Sequence, residues 1–239
     1  MNFEQKLNEK FPGAMPEADF VVKSFESIFP LGFSAINAIA CVGLCRDEIT
    51  LPLSDAIKKT WGESFNFSSL AGMLFLGKMG FLAAQHHSPN EEGKERYVFY
   101  AFPHIAINAE GEVGRCERSG RHGQSTACGA LFSFQKEMEG GKLRLGLDFD
   151  DVEQSLLKIR LLQEIHYGKV PDLLELTQVT LKVIQTDIER MIGLTVDSNK
   201  SDYAVFTGIQ IHGPKMNYIW PDACYSVVNG TKQEIKLKK

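Results

Sequence analysis

Residues 16–29, "PEADFVVKSFESIF", bring back Phe20, Val21, Phe25 and Ile28 at helical intervals, which predicts a helix with one apolar face. The continuous apolar run "NAIACVG" (37–43) predicts a buried strand ending at a glycine. A helix is expected over about 66–85, with Ser68 or Ser69 able to cap it. The polar "SPNEEGKE" (88–95) is a loop. The aromatic and β-branched "RYVFYAF" (96–102) is a strand that runs into Pro103-His104. Gly and charge dominate "NAEGEVGRCERSGRHGQ" (108–124), an ordered loop or short hairpin. The next helix is capped by Ser125 or Thr126, carries Leu131, Phe134 and Met138 as its stripe, and stops at Gly140-Gly141.

Two long helices are expected at about 150–167 and 171–192. Asp150 or Asp151 opens the first, Pro171 takes the N1 position of the second, and Gly168 and Gly193 are the stops. Both are apolar on more than one side, as helices buried in a core or at a subunit contact are. Strand-like runs follow at 203–213 and 217–230. Strands alternating with helices predict an α/β fold, a mostly parallel central sheet flanked by helices. In such sheets ligands gather beyond the carboxyl ends of the strands.

Composition narrows the function. Hydrophobic residues make up 44% and charged residues 23%, with a formal net charge of -4, so no nucleic-acid-binding field is expected. The basic "KQEIKLKK" (232–239) reads as a frayed terminus. The apolar "LAGMLFLGKMGFLAA" is broken by Gly and Lys and too short for a membrane span. The opening "MNFEQKLNEKFPG" is neither a secretory signal nor an Arg/Ser-rich transit peptide. Five cysteines, an odd number, argue for reduced thiols rather than a disulfide framework.

Three chemistry-bearing residues stand at element ends. Cys45 and His104 lie just past predicted strands, and Cys128 lies in the first turn of a predicted helix. A tetrahedral catalytic zinc takes three protein ligands and keeps one open position, and this trio can supply the three. A helix start favours the thiolate, which is the ligand form. Cys116 is a further candidate, while Cys41 and Cys224 sit inside strand-like runs and read as core. The spacing contains no Cys-x-x-Cys, so a second reading stays open. In it Cys128 is the nucleophile of a metal-free hydrolase, with His104 as base and Asp47 as orienter.

The ordered blocks "CRDE" (45–48), "GKMGFLAAQHHSP" (77–89), "FPHIAI" (102–107) and "GRHGQSTACGAL" (120–131) resemble the limiting-carbon-dioxide-inducible protein B/C family of algae and their microbial relatives. The resemblance runs from about residue 30 to 225. That family is similar to β-carbonic anhydrases: a dimeric α/β core with a Cys/His/Cys zinc. The resemblance implies Zn2+ on Cys45, His104 and Cys128. It implies for Asp47 the role of pairing with an arginine and orienting, or in closed forms replacing, the zinc-bound water. Two departures stand out. The β-class dyad arginine position holds Ile49, so Arg46 is taken as the nearest catalytic partner of Asp47, with Arg115, Arg118 and Arg121 as later candidates. The β-class histidine position, three residues before the second cysteine, holds Ser125. His104 is preferred to His122 because it directly follows a strand.

The resemblance thus implies a β-carbonic-anhydrase-like fold over 1–239, one domain with an N-terminal helical arm, and a homodimer in a reducing compartment, plastid stroma or cytoplasm. It implies reversible hydration of carbon dioxide to bicarbonate, without nucleic-acid or membrane-spanning partners. The alternative is a catalytically weak or inactive zinc-binding member, a bicarbonate or carbon dioxide sensor or an assembly partner in carbon concentration. His86 and His87 read either as proton shuttles or as a decorated helix end. Phe81 and Leu82 read either as apolar walls of the site or as helix core, and His166 and His212 read as structural.

Overall fold

In the computed structural model, residues 1–91, 93–118 and 120–237 are described. A reciprocal cap between Asn2 and Gln5 starts α1 (Phe3–Lys10), which is followed by the short β1 (Met15–Pro16) and by α2 (Glu17–Ile28). Next come β2 (Ile39–Gly43), α3 (Leu51–Trp61), β3 (Ser64–Asn66) and α4 (Gly77–Gln85). They lead to β4 (Asn90–Glu91), β5 (Lys94–Ala101) and β6 (His104–Ala106). A hairpin of β7 (Arg115–Glu117) and β8 (Gln124–Thr126) precedes α5 (Gly129–Glu139), α6 (Val152–Leu162) and α7 (Leu173–Thr195). β9 (Ser201–His212), β10 (Asn217–Val228) and β11 (Thr231–Glu234) follow.

The fold is α/β with a mostly parallel central sheet. Strands β3, β2, β5 and β9 run parallel in that order, and β10 joins antiparallel to β9 with β1 and β11 on its far side. β6 continues the line of β5 along β9: Ala101 pairs with Thr207 and His104 with Gln210, one unbroken register. Pro103 interrupts the line because it has no N–H to give the ladder. Both faces are buried, as a parallel sheet requires. Cys41, Tyr97, Phe99 and Val205 enter one core beneath α1 and α4 to α7, and Ala40, Val42, Val98, Tyr100 and Phe206 enter the other beneath α2 and α3. This period-two exchange explains why the strands read as continuous apolar runs.

Several local expectations are corrected. The helix expected over 66–85 is confined to α4. Before it the chain still follows the sheet: Phe67 N–H donates to the Val42 carbonyl and Ser69 N–H to that of Leu44. Ser125 and Thr126 lie in β8, so Cys128 and not either of them stands at the cap of α5. The 150–167 helix ends at Leu162. The last long helix begins with a capping box between Asp172 and Glu175, one residue after Pro171, and continues through Gly193 to Thr195. Part of the terminus read as frayed forms β11. Residues 92, 119, 238 and 239, within the loops read at 88–95 and 108–124 and the basic 232–239, lie outside the described residues. Among the described residues no helix is long and apolar enough to cross a membrane.

One glycine matters for what lies beyond the strands. Gly72 has φ +77°, and a Cβ there would sit 2.4 Å from the Phe102 carbonyl oxygen, on the backbone leading into His104. Positive φ alone disfavours a side chain by about 1–2 kcal/mol, and a backbone overlap adds to that. Gly72→Ala is therefore expected to cost more than about 2 kcal/mol of stability, read as a lowered urea midpoint at unchanged slope.

Candidate metal centre

β2 and β5 are parallel neighbours, and their carboxyl ends are tied by the Phe102 N–H to the Gly43 carbonyl (3.0 Å). Two residues past β2 stands Cys45, and three past β5 stands His104. The loop after β8 brings in the third residue: Ala127 accepts the Ala106 N–H (3.3 Å) and donates to Gly114 (3.1 Å), which seats Cys128 against β6. The structure thereby gathers Cys45, His104 and Cys128, all buried, with ligand atoms within 4.8 Å of one another. The two sulfurs are 3.9 Å apart. Tetrahedral zinc with Zn–S bonds of about 2.3 Å holds two sulfurs about 3.8 Å apart, so the donor set and its spacing fit the ion. The fit extends to the imidazole. His104 is fully buried; its Nδ1 lies 3.0 Å from His212 Nε2, while its own Nε2 has no hydrogen-bond partner.

The thiols are electrostatically coupled. Cys45 is drawn down to about 4 by its hydrogen bond with Cys128, against the effect of burial, with His104 and the Asp47 N–H assisting. Cys128 is pushed well up by the same contact and by burial, although the Ala130 and Leu131 N–H groups at the start of α5 pull the other way. The contact favours one shared charge, a single thiolate hydrogen-bonded to the other thiol.

Beside the cluster Asp47 caps a short 3-10 turn at Glu48–Thr50. Burial acts to raise its pKa, but hydrogen bonds from Arg118 prevail and hold it at about 2. The pairing is two-pronged: Nη1 to Oδ1 at 2.6 Å and Nη2 to Oδ2 at 3.0 Å. Arg118 is itself held by the Ser125 hydroxyl (2.6 Å), the Thr126 carbonyl (3.2 Å) and Glu48 (2.7 Å). Arg46, the nearest arginine in sequence, faces away and forks onto Glu153 of α6. The reason is topological: the β7–β8 hairpin folds Arg118 back over the loop after β2, whereas Arg46 leaves that loop on the α6 side.

The sequence matches limiting CO2-inducible proteins B/C beta carbonic anhydrases over residues 14–228. The chain belongs to this family. In structure it is similar to limiting CO2-inducible protein LCIB, with 36% identity, a TM-score of 0.82, and 99% of this chain and 100% of that chain covered. It also shares the fold of PtLCIB4, a homologue of LCIB, at 22% identity and a TM-score of 0.82, covering 97% and 99% of the two chains. No curated protein matches the chain in sequence.

Other candidates lie elsewhere. His122 is exposed in the hairpin turn, and Arg121 lies 3.8 Å from Glu48. Cys116 is buried against Ser125 and is not part of the cluster. His86 and His87 end α4, and the His87 ring packs on Phe65, beside Cys41 of β2 in register. His87 also borders a cavity with Ala35, Ala38 and Gly62, at the strands' amino ends. Cys41 stands four residues before Cys45, roughly 13 Å at about 3.3 Å per residue, too far for a direct proton transfer. Phe81 belongs to the core, with Phe67 at 4.6 Å and Phe99 at 5.8 Å between ring centroids. Sequence reasoning left His212 as structural and so missed its contact with His104; its place in β9, opposite Asn217, was the available signal.

The two arginines should separate in stability. Arg118→Ala strips a mostly buried carboxylate of its partner and should cost about 2 kcal/mol. Arg46 is 57% exposed, and Arg46→Ala should cost only about 0–1 kcal/mol. Urea unfolding of both variants against the parent checks the difference.

Proposed function

We propose that this protein is a zinc carbonic anhydrase that interconverts carbon dioxide and bicarbonate. The observation that carries the reading is the buried Cys45–His104–Cys128 cluster with its unpartnered Nε2, set beside an Arg118-clamped Asp47 in a member of this family. Zinc bound there would lower the pKa of a water in its fourth position to about 7 and so supply the nucleophile at neutral pH.

The remaining work falls to the chain. Two sulfurs offset the charge of the dication, and the neutral imidazole completes the set. Asp47, held at about 2, stays ionised and is an acceptor only. It orients the O–H of the attacking water so that an oxygen lone pair faces the carbon of carbon dioxide. Arg118 is balanced by Asp47 and Glu48, so it fixes the aspartate rather than capturing the anionic product. Both Asp47 oxygens are engaged by Arg118, which favours an open fourth position.

The same reading includes a homodimer working in a reducing compartment, plastid stroma or cytoplasm, with a place in carbon concentration. Support comes from the exposed Leu145, Leu147 and Phe149 ahead of α6 and from five buried cysteines that are all free thiols.

Stopped-flow hydration of carbon dioxide by zinc-loaded, reduced protein tests the activity. Cys45→Ser and Cys128→Ser should lose both zinc and turnover. Asp47→Ala and Arg118→Ala should keep zinc and lose roughly 100-fold or more in rate. Turnover undiminished in zinc-free Cys45→Ser would sink the reading. A zinc-replete parent silent at every pH would replace it with the sensor or assembly role.

A further inference from the structure

A largely buried chain of hydrogen bonds leads away from the cluster through β9 and β10. His104 Nδ1 lies 3.0 Å from His212 Nε2, and His212 Nδ1 lies 3.0 Å from Asn217 Oδ1. His212 and Asn217 face each other across the β9–β10 ladder, so the second link is set by strand register. The chain ends on Glu17, at the start of α2, which accepts from Gln210 Nε2 at 2.7 Å and is also hydrogen-bonded by the Asn217 side chain. His104, Gln210 and His212 are buried, as is Glu17.

The polarity of this chain follows from its acidic end. Burial raises the pKa of Glu17, while the amide hydrogen bonds from Gln210 and Asn217 favour its carboxylate; accepting both, it leaves the Asn217 NH2 turned towards Glu17 and the carbonyl oxygen towards His212. That oxygen requires an N–H from His212 Nδ1. A neutral His212 then has a lone pair on Nε2, and it accepts from His104 Nδ1–H. His104 Nε2, which faces the two sulfurs, is then the nitrogen left for a metal to take. Reversing any one link would place two donors or two acceptors face to face in the core, which is costly there.

We propose that His212 and Asn217, anchored by Glu17, are positioning residues that fix the Nδ1–H tautomer of His104 and so hold its Nε2 as the metal-binding lone pair. The metal part of this statement rests on the proposed zinc site; the proton arrangement does not. Ligand histidines commonly donate their second N–H to a carboxylate or carbonyl. Here the acceptor is a second imidazole, and the information that sets it comes from a carboxylate three hydrogen bonds away.

Long-range 1H–15N spectra of the metal-free, reduced protein test the arrangement directly. His104 should carry a proton on Nδ1, and His212 should be neutral with its proton on Nδ1. A His104 without a proton on Nδ1, or a doubly protonated His212, overturns the proposal. Zinc competition against a chelator tests the consequence. His212→Phe removes the acceptor and should weaken zinc binding about 10–100-fold, whereas His212→Gln, whose amide oxygen can accept from His104, should recover most of the loss. Equal zinc affinity of the parent and His212→Phe overturns the positioning role. A parent that takes up no zinc, yet shows both Nδ1–H tautomers, would overturn the metal site while leaving the relay intact.

Discussion

His104 Nε2 is a polar atom in the interior with no hydrogen-bond partner, a condition that costs about 1–3 kcal/mol unless something accepts or supplies a bond there. The molecule keeps this atom buried and surrounds it with sulfur. Cys45 and Cys128 come from the loop after β2 and the start of α5, and Ala127, Gly72 and the Phe102–Gly43 bond are the backbone contacts that bring those loops onto the same spot. A cation with soft and imidazole preferences is the natural complement to such a set. The close approach of Gly72 to the Phe102 carbonyl fixes the backbone that leads into His104.

Electrostatics on the two sides of the cluster run in opposite senses. On one side Asp47 keeps its charge because Arg118 reaches both of its oxygens. On the other, His212 is driven down to about 3, chiefly by burial, so its ring is neutral. One carboxylate therefore stands close to the cluster, and the other, Glu17, is kept at a distance and acts through hydrogen bonds. Ser125 contributes to the first side in a way its sequence position does not announce. It stands where β-class enzymes are expected to place a histidine ligand, and here its hydroxyl holds the guanidinium that clamps Asp47.

The gap between Arg46 and Arg118 is instructive about what could be read in advance. Cys116 is buried while Arg115 and Glu117 point out, so strand alternation turns position 118 inward with Cys116. That phase was present in "RCER". Its destination was not, because the partner lies 71 residues earlier and only the hairpin's fold over the loop joins them. His212 is a similar case: its strand was legible, but its contact with His104 lies across 108 residues.

Local chemistry was written along the chain. The apolar runs at 37–43 and 96–102 marked two buried parallel strands, and Cys45, His104 and Cys128 could be picked out at element ends because ladders and helices expose side chains where they stop. Which arginine meets Asp47, which residue backs His104, and how far His86 and His87 lie from the cluster were decided by tertiary structure alone. Periodicity reports which way a side chain faces relative to its own strand or helix. Salt bridges and hydrogen bonds between distant segments depend on register and hairpin placement, which arise only when the whole sheet and both of its cores form together.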